Sequence, residues 1–127
     1  MKIYLAIISF IFCFSCLGQS NFNLETYFLT NDAKLISDKF GNMVELNVDD
    51  TQANYDQKQA KVIFDNFFKQ KKFTSYTRNH TGGGNGRPYF EIAELKTETE
   101  TFRTYTLYNQ QDNSFIIIEL RIELEED

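Results

Sequence analysis

Residues 56–80 read DQKQAKVIFDNFFKQKKFTSYTRNH, and within them a helical hydrophobic period ends and an expected strand begins. Ala60, Ile63, Phe64, Phe67 and Phe68 recur at i, i+3, i+4, i+7 and i+8, which is one apolar stripe along a helix. Lys58, Lys61, Asp65 and Lys69 fall on the polar face. Asp56 stands where an N-cap belongs, and Gln59, three residues on, completes a capping box. The pattern predicts a helix from Asp56 to about Gln70. Beyond the helix the stripe ends, and Phe73 to His80 is expected to form a strand.

Downstream the period is two. Thr81-Gly82-Gly83-Gly84-Asn85-Gly86 is a flexible loop, followed by strands over Tyr89 to Thr97, Thr101 to Asn109 and Ser114 to Leu124. Polar turns around Glu98–Glu100 and at Gln110-Gln111-Asp112-Asn113 are short enough for antiparallel hairpins. In the last strand Ile116, Ile118, Leu120, Ile122 and Leu124 alternate with Glu119, Arg121 and Glu123, which assigns the two sets to opposite faces. Upstream, residues 22–39 read as two short helices with Phe22, Tyr27, Phe28, Leu35 and Ile36 as apolar faces. Thr30-Asn31-Asp32 supplies the second N-cap. Met43 to Val48 is a strand, and Asp49-Asp50 begins a turn. Helices, a strand, a helix and a four-stranded meander make an α+β layout, with the Phe-rich helix as the cover for one sheet face.

The first residues are of another kind. Met1-Lys2 precedes an apolar run from Ile3 to Phe14 and the exit Ser15-Cys16-Leu17-Gly18-Gln19-Ser20, the pattern of a secretory signal peptide. The run is shorter than the roughly 20 residues of a membrane span and lacks a basic stop-transfer flank. Cleavage after Gly18 places small Gly18 at −1 and small Cys16 at −3. It gives the boundaries 1–18 for the leader and 19–127 for one domain, secreted or periplasmic. The alternative is a lipid-anchored protein modified at Cys16. Ser15 suits that motif, and Cys13 stands where leucine is usual. Cys13 and Cys16 also form C-x-x-C, but inside the hydrophobic segment. A chain cut after Gly18 retains no cysteine, which excludes thiol, disulfide and cysteine–metal chemistry.

Removing 18 of 127 residues leaves 109, enough for one core and too few for two. With 13 Phe and 7 Tyr but no Trp, aromatics carry the burial. The net charge of −5, or −6 without Lys2, argues against nucleic acid and anionic membrane as partners.

Several constellations invite a chemical reading. The Gly82–Gly86 loop is followed by Arg87-Pro88 and a strand, whereas a phosphate loop needs a helix N-terminus. Counted from Asp50, an EF-hand requires Gly at position six and Glu at position twelve, where the chain has Tyr55 and Lys61. Asn79-His80-Thr81 is a glycosylation sequon only in a eukaryotic secretory pathway. His80 is the single histidine, so no metal or cofactor is expected, and any triad would depend on it. Alternation places Tyr76, Arg78 and His80 on one strand face and Tyr89 and Glu91 together on the next. Such a group could bind a small polar ligand. The competing reading is a cross-strand polar network on the solvent side, which exposed sheet faces ordinarily carry. Arg103, Tyr105 and Arg121 raise the same question for an anion, although Arg121 lies between Glu119 and Glu123 at i±2.

The chain resembles the nuclear transport factor 2-like fold, and within it a family of small secreted bacterial domains of unknown function. The matching residues include Phe40 with Val44-Glu45-Leu46, Tyr55, Ala60, Phe67-Phe68, Phe73 and His80-Thr81-Gly82. They continue through Tyr89, Leu95, Phe102-Arg103-Thr104-Tyr105 and Leu120-Arg121-Ile122-Glu123. The resemblance implies N-terminal helices packed as a cone on a curved, mostly antiparallel sheet, often with a pocket. Isomerases, dehydratases, hydrolases and binding domains share that fold, so fold does not carry activity. The ketosteroid isomerase pattern needs a pocket Asp, and residues 72–109 contain none.

Two functions follow. The first is a non-catalytic binding module for a small apolar or anionic ligand or an envelope protein. Its candidate site residues are Tyr76, Arg78, His80, Tyr89, Glu91, Arg103 and Tyr105. The second is a small enzyme using His80 as general acid–base, which requires His80 and the tyrosines to open into one pocket. Homodimerisation through the outer sheet face is a further expectation.

Overall fold

The structure, a computed structural model, describes residues 23–126. The signal-peptide reading, Cys13, Cys16 and the place of Phe22 in the first helix lie outside the described residues. Helices α1 (Leu24–Leu29) and α2 (Ala33–Ser37) are followed by strands β1 (Phe40–Val48) and β2 (Thr51–Asp56). Helix α3 (Gln57–Phe68) comes next, and then β3 (Ser75–Gly83), β4 (Tyr89–Lys96), β5 (Thr101–Gln111) and β6 (Ser114–Leu124). The six strands form one sheet in the order β2-β1-β6-β5-β4-β3. β1 runs parallel to β6, and every other neighbouring pair is antiparallel. This is the α+β fold expected from the periodicity.

The helices begin where their capping residues place them. Asp56 Oδ1 accepts the backbone N–H of Gln59 at 2.8 Å, satisfying one of the orphan donors at the start of α3. Asp32 caps α2 through the N–H of Lys34, and Asn23 caps α1 through that of Glu25. The apolar stripe of α3 lies on the sheet, with Ala60, Phe64, Phe67 and Phe68 buried and Ile63 half-buried. Phe64 stacks on Phe68 at 5.2 Å, Phe68 meets Phe73 at 5.1 Å, and Phe67 meets Phe102 edge-on at 6.1 Å. Each fully buried ring contributes about 1.5–3 kcal/mol over leaving it in water, so this cluster is the main source of stability. Leu35, expected on an apolar face, is 41% exposed, whereas its neighbour Ile36 is buried.

The structure adds a strand that periodicity does not show. β2 pairs along its whole length with β1, from Val48↔Thr51 to Met43↔Asp56. Its side chains are exposed except for half-buried Tyr55, so no apolar alternation marks it. The turn of Asp49 and Asp50 has both φ angles positive (51° and 59°), the form of a two-residue hairpin whose twist suits antiparallel strands.

Two register shifts change which side chains share a face. In β6, Leu107 pairs with Glu119 but Tyr108 pairs with Ile117, leaving Ile118 as the extra residue of a bulge. Phe115 and Ile117 are therefore buried together with Leu120 and Ile122, while Ile116 and Ile118 are half-buried. The expected single face of Ile116, Ile118, Leu120, Ile122 and Leu124 is broken there, and Leu124 is 52% exposed at the strand end. In β3, Arg78 pairs with Ala93 and His80 with Ile92, so Asn79 is the extra residue.

The glycine loop also starts later than its composition suggests, because Gly82 and Gly83 belong to β3 and pair with Phe90 and Tyr89. The ring of Phe90 lies where a side chain on Gly82 would stand, 2.5 Å from an ideal Cβ. Gly83 has φ +89°, a left-handed conformation that favours glycine.

Candidate functional site

The helix-covered face of the sheet changes character along its length. Leu95 and Ala93 of β4 are buried among the phenylalanines, and the next residue inward on the same face is Glu91, only 4% exposed. A carboxylate this deep must be paired, since an unpaired buried charge is strongly unfavourable. Glu91 Oε2 accepts the hydroxyl of Tyr76, and Glu91 Oε1 accepts Arg78 Nε at 2.8 Å. The pairing follows from the strands: Tyr76 and Arg78 share one face of β3, directly beside the Glu91 face of β4.

Aromatic rings enclose this group. Phe28 of α1 stacks on Tyr76 with centroids 5.5 Å apart, and Tyr89 stacks on Tyr108 of β5 at 5.7 Å. Tyr108 in turn meets Phe115 edge-on at 5.7 Å. Burial raises the Tyr76 hydroxyl far above its ordinary value, and the bond to Glu91 adds to the shift. Tyr108 is also raised, first by burial and then by the Glu91 charge. Thr106, the register partner of Glu91 on β5, is fully buried. Its hydroxyl has no hydrogen-bond partner among the described residues. Thr104 Oγ1, one position along the same face, donates to the carbonyl of Ala93 at 3.3 Å.

Glu91 already has a donor on each oxygen, and Tyr76 keeps its proton far into alkaline pH. The side chain of Arg78 is 52% exposed although its Nε is fixed, so a rigidly held guanidinium faces the solvent at the edge of the covered face. A positioned guanidinium suits a planar polar or anionic group.

The structure brings together four of the sequence-selected residues, Tyr76, Arg78, Tyr89 and Glu91, and separates the other three. The bulge at Asn79 turns His80 to the opposite face from Tyr76 and Arg78, contrary to the simple alternation. His80 is exposed there, 5.6 Å from the ring of Phe90. Arg103 and Tyr105 also lie on that open face. They line a groove of about 250 Å³ with Ile92, Arg121 and Glu123. Arg121 is committed to Glu119 through Nη2 at 2.6 Å and Nε at 2.8 Å, and lies over Tyr105 at 5.6 Å. That bond to Glu119 raises the Arg121 pKa and is the charge pairing its i±2 spacing predicts. Sequence reasoning missed Phe28, Thr106 and Tyr108. The signal available was the period of two through Phe102, Thr104, Thr106 and Tyr108, which places them on one face of β5.

The described residues contain no group of three or more His, Cys, Asp or Glu able to hold a metal ion. None of their helices is long and apolar enough to cross a membrane.

The profile of the family described as Domain of unknown function (DUF4783) matches residues 22–123. The chain belongs to the DUF4783 family. A DUF4783 protein from Bacteroides ovatus ATCC 8483 has a similar solved structure, with a TM-score of 0.72 at 24% identity over 87% of this chain and 100% of that one. A DUF4783 protein from Bacteroides uniformis ATCC 8492 gives 0.71 at 22% identity, over 82% and 95%. An NTF2-like protein of unknown function from Cytophaga hutchinsonii ATCC 33406 is similar at 13% identity, with a TM-score of 0.52 over 79% and 81%. No curated protein matches the chain. At these identities the DUF4783 and NTF2-like structures show the fold, a nuclear transport factor 2-like α+β sheet, and not an activity.

Proposed function

We propose that this DUF4783 chain is a secreted or periplasmic, non-catalytic binding module for a small ligand or a partner protein. In this reading cleavage near Gly18 releases one domain, residues 19–127. The alternative route tethers the same domain through lipid on Cys16. The observation that carries the binding role is the state of Glu91: buried, held by Tyr76 and Arg78, and beside the unpartnered hydroxyl of Thr106. Such a cluster is a prebuilt polar anchor inside an aromatic surround, the usual composition of a small-molecule site.

The enzyme reading depends on His80 sharing a pocket with the tyrosines. An exposed histidine on the opposite face of the sheet lacks that geometry. The binding reading is tested by native mass spectrometry of the protein purified from its own host envelope. A co-purifying small molecule or protein that is lost from the Arg78→Ala variant is the expected result. Bare protein from both preparations would overturn it.

A further inference from the structure

Two arginines pair with buried glutamates, and they do so differently. Arg121 commits two nitrogens to Glu119, Nη2 at 2.6 Å and Nε at 2.8 Å, and its guanidinium lies over the Tyr105 ring. That pair is closed on itself. Arg78 meets Glu91 through Nε at 2.8 Å, because the second carboxylate oxygen is taken by the Tyr76 hydroxyl. Among the described residues neither terminal nitrogen of Arg78 makes a hydrogen bond. A guanidinium carries five N–H donors, so most of those on Arg78 are left for an external acceptor.

Exposure decides which charge of the pair a ligand meets. The side chain of Glu91 is 5% exposed and that of Arg78 52%, so the carboxylate is withdrawn and the guanidinium faces outward. The charged groups acting on the neighbouring Tyr76 and Tyr108 hydroxyls are these same two, Glu91 and Arg78. An anion in contact with the terminal nitrogens of Arg78 lies nearer the guanidinium than the Glu91 carboxylate. Attraction acts over the shorter distance and exceeds the repulsion. The net charge of −5 belongs to groups spread over the whole chain, and salt screens it at such range. A cation meets the reverse order, with repulsion first.

Resting on the binding reading above, we infer that the ligand of the Glu91 site is a small molecule bearing a carboxylate, held by the two terminal nitrogens of Arg78. A guanidinium presents parallel N–H pairs that match the two oxygens of a carboxylate, and such charge-assisted pairs are short and directional. Arg78 meets the ligand already oriented. Its Nε is fixed by Glu91, Glu91 by Tyr76, and Tyr76 by the Phe28 ring stacked on it at 5.5 Å. Orientation in advance reduces the entropy lost on binding. The half-buried, mutually stacked rings of Tyr89 and Tyr108 beside Glu91 favour an apolar body on that carboxylate.

Titration of the purified protein with sodium benzoate, benzamide and benzylamine tests this by proton–nitrogen NMR, since the three share a ring and differ in charge. Benzoate is expected to shift the Arg78 side-chain resonance and the amides of Tyr89 and Glu91. Its dissociation constant should be lower than that of benzamide by about tenfold or more, and should rise with salt. Arg78→Gln removes the preference for benzoate, and Arg78→Lys, which keeps the charge without the fork, restores it in part. An unchanged thermal midpoint verifies folding of both variants, and the comparison of probes on the unaltered protein depends on neither. Benzamide or benzylamine binding as tightly as benzoate overturns the carboxylate class. The binding reading itself then stands if native mass spectrometry still finds a ligand, and falls only with bare protein. Benzoate shifts confined to Arg103 and Arg121 would place the anion on the open sheet face and overturn the inference as well. So would the absence of any shift up to about 50 mM benzoate.

Discussion

The covered face of the sheet contains two halves made from the same strands. Along β4 the buried residues run Leu95, Ala93, Glu91, and along β5 they run Phe102, Thr104, Thr106. The first half lies under the phenylalanines of α3 and is apolar apart from Thr104, whose hydroxyl is taken up by the Ala93 carbonyl. The second lies toward α1 and holds Tyr76, Arg78, Glu91, Tyr89, Thr106 and Tyr108. Their contrast shows a division of labour within one layer. Dispersion and burial stabilise one half, and a few directed hydrogen bonds organise the other.

The largest expected effect breaks the apolar half. Phe68→Ala removes a ring that is 1% exposed and in contact with Phe28, Phe64 and Phe73. Denaturant unfolding should show a loss of about 3–5 kcal/mol from lost transfer energy and the remaining cavity. In the polar half the effects are smaller. Glu91→Ala leaves the buried Tyr76 hydroxyl without its acceptor and frees Arg78, at a cost of about 1–3 kcal/mol by the same measurement.

Tyr76→Phe tests the same half through pH. The folded state holds the Tyr76 proton more tightly than the unfolded chain, whose value is about 10.0. Its contribution is therefore complete below pH 10 and declines as pH rises above it. Stability profiles from pH 8 to 12 should show a shallower alkaline loss in the Tyr76→Phe variant than in the parent. At neutral pH the variant also loses about 1–2 kcal/mol, since Glu91 forfeits a donor.

His80→Ala is expected to change stability by no more than about 0.5 kcal/mol, because the exposed ring belongs to neither half. A loss above 2 kcal/mol would place His80 inside the organised region and sink the distinction drawn here.

How much of this was legible depends on the range of the interaction involved. α3 was plain because its cap and its stripe are both local: Asp56 and Gln59 are neighbours, and Phe64, Phe67 and Phe68 repeat at the helical period. β4 and β5 were equally plain from alternation. β2 was not, since an edge strand without a buried face has no hydrophobic pattern. The candidate site was half legible. Tyr76, Arg78, Tyr89 and Glu91 could be grouped by counting in twos, but the same count put His80 with them. One unpaired residue, Asn79, reverses the parity of all that follows, and nothing in its identity announces a bulge. Ile118 does the same in β6, where Phe115 and Ile117 take the buried places that alternation assigns to Ile116 and Ile118.

Local periodicity and capping by themselves determined that this chain makes a Phe-rich helix and a β-meander, because those choices rest on neighbours within a few residues. Only the tertiary structure decided that β1 enters parallel to β6, that β2 forms an edge, and that Glu91 is buried between Tyr76 and Arg78. These depend on register between strands distant in sequence. Register is set by the fit of the assembled layers, where one bulged residue moves each later side chain across the sheet.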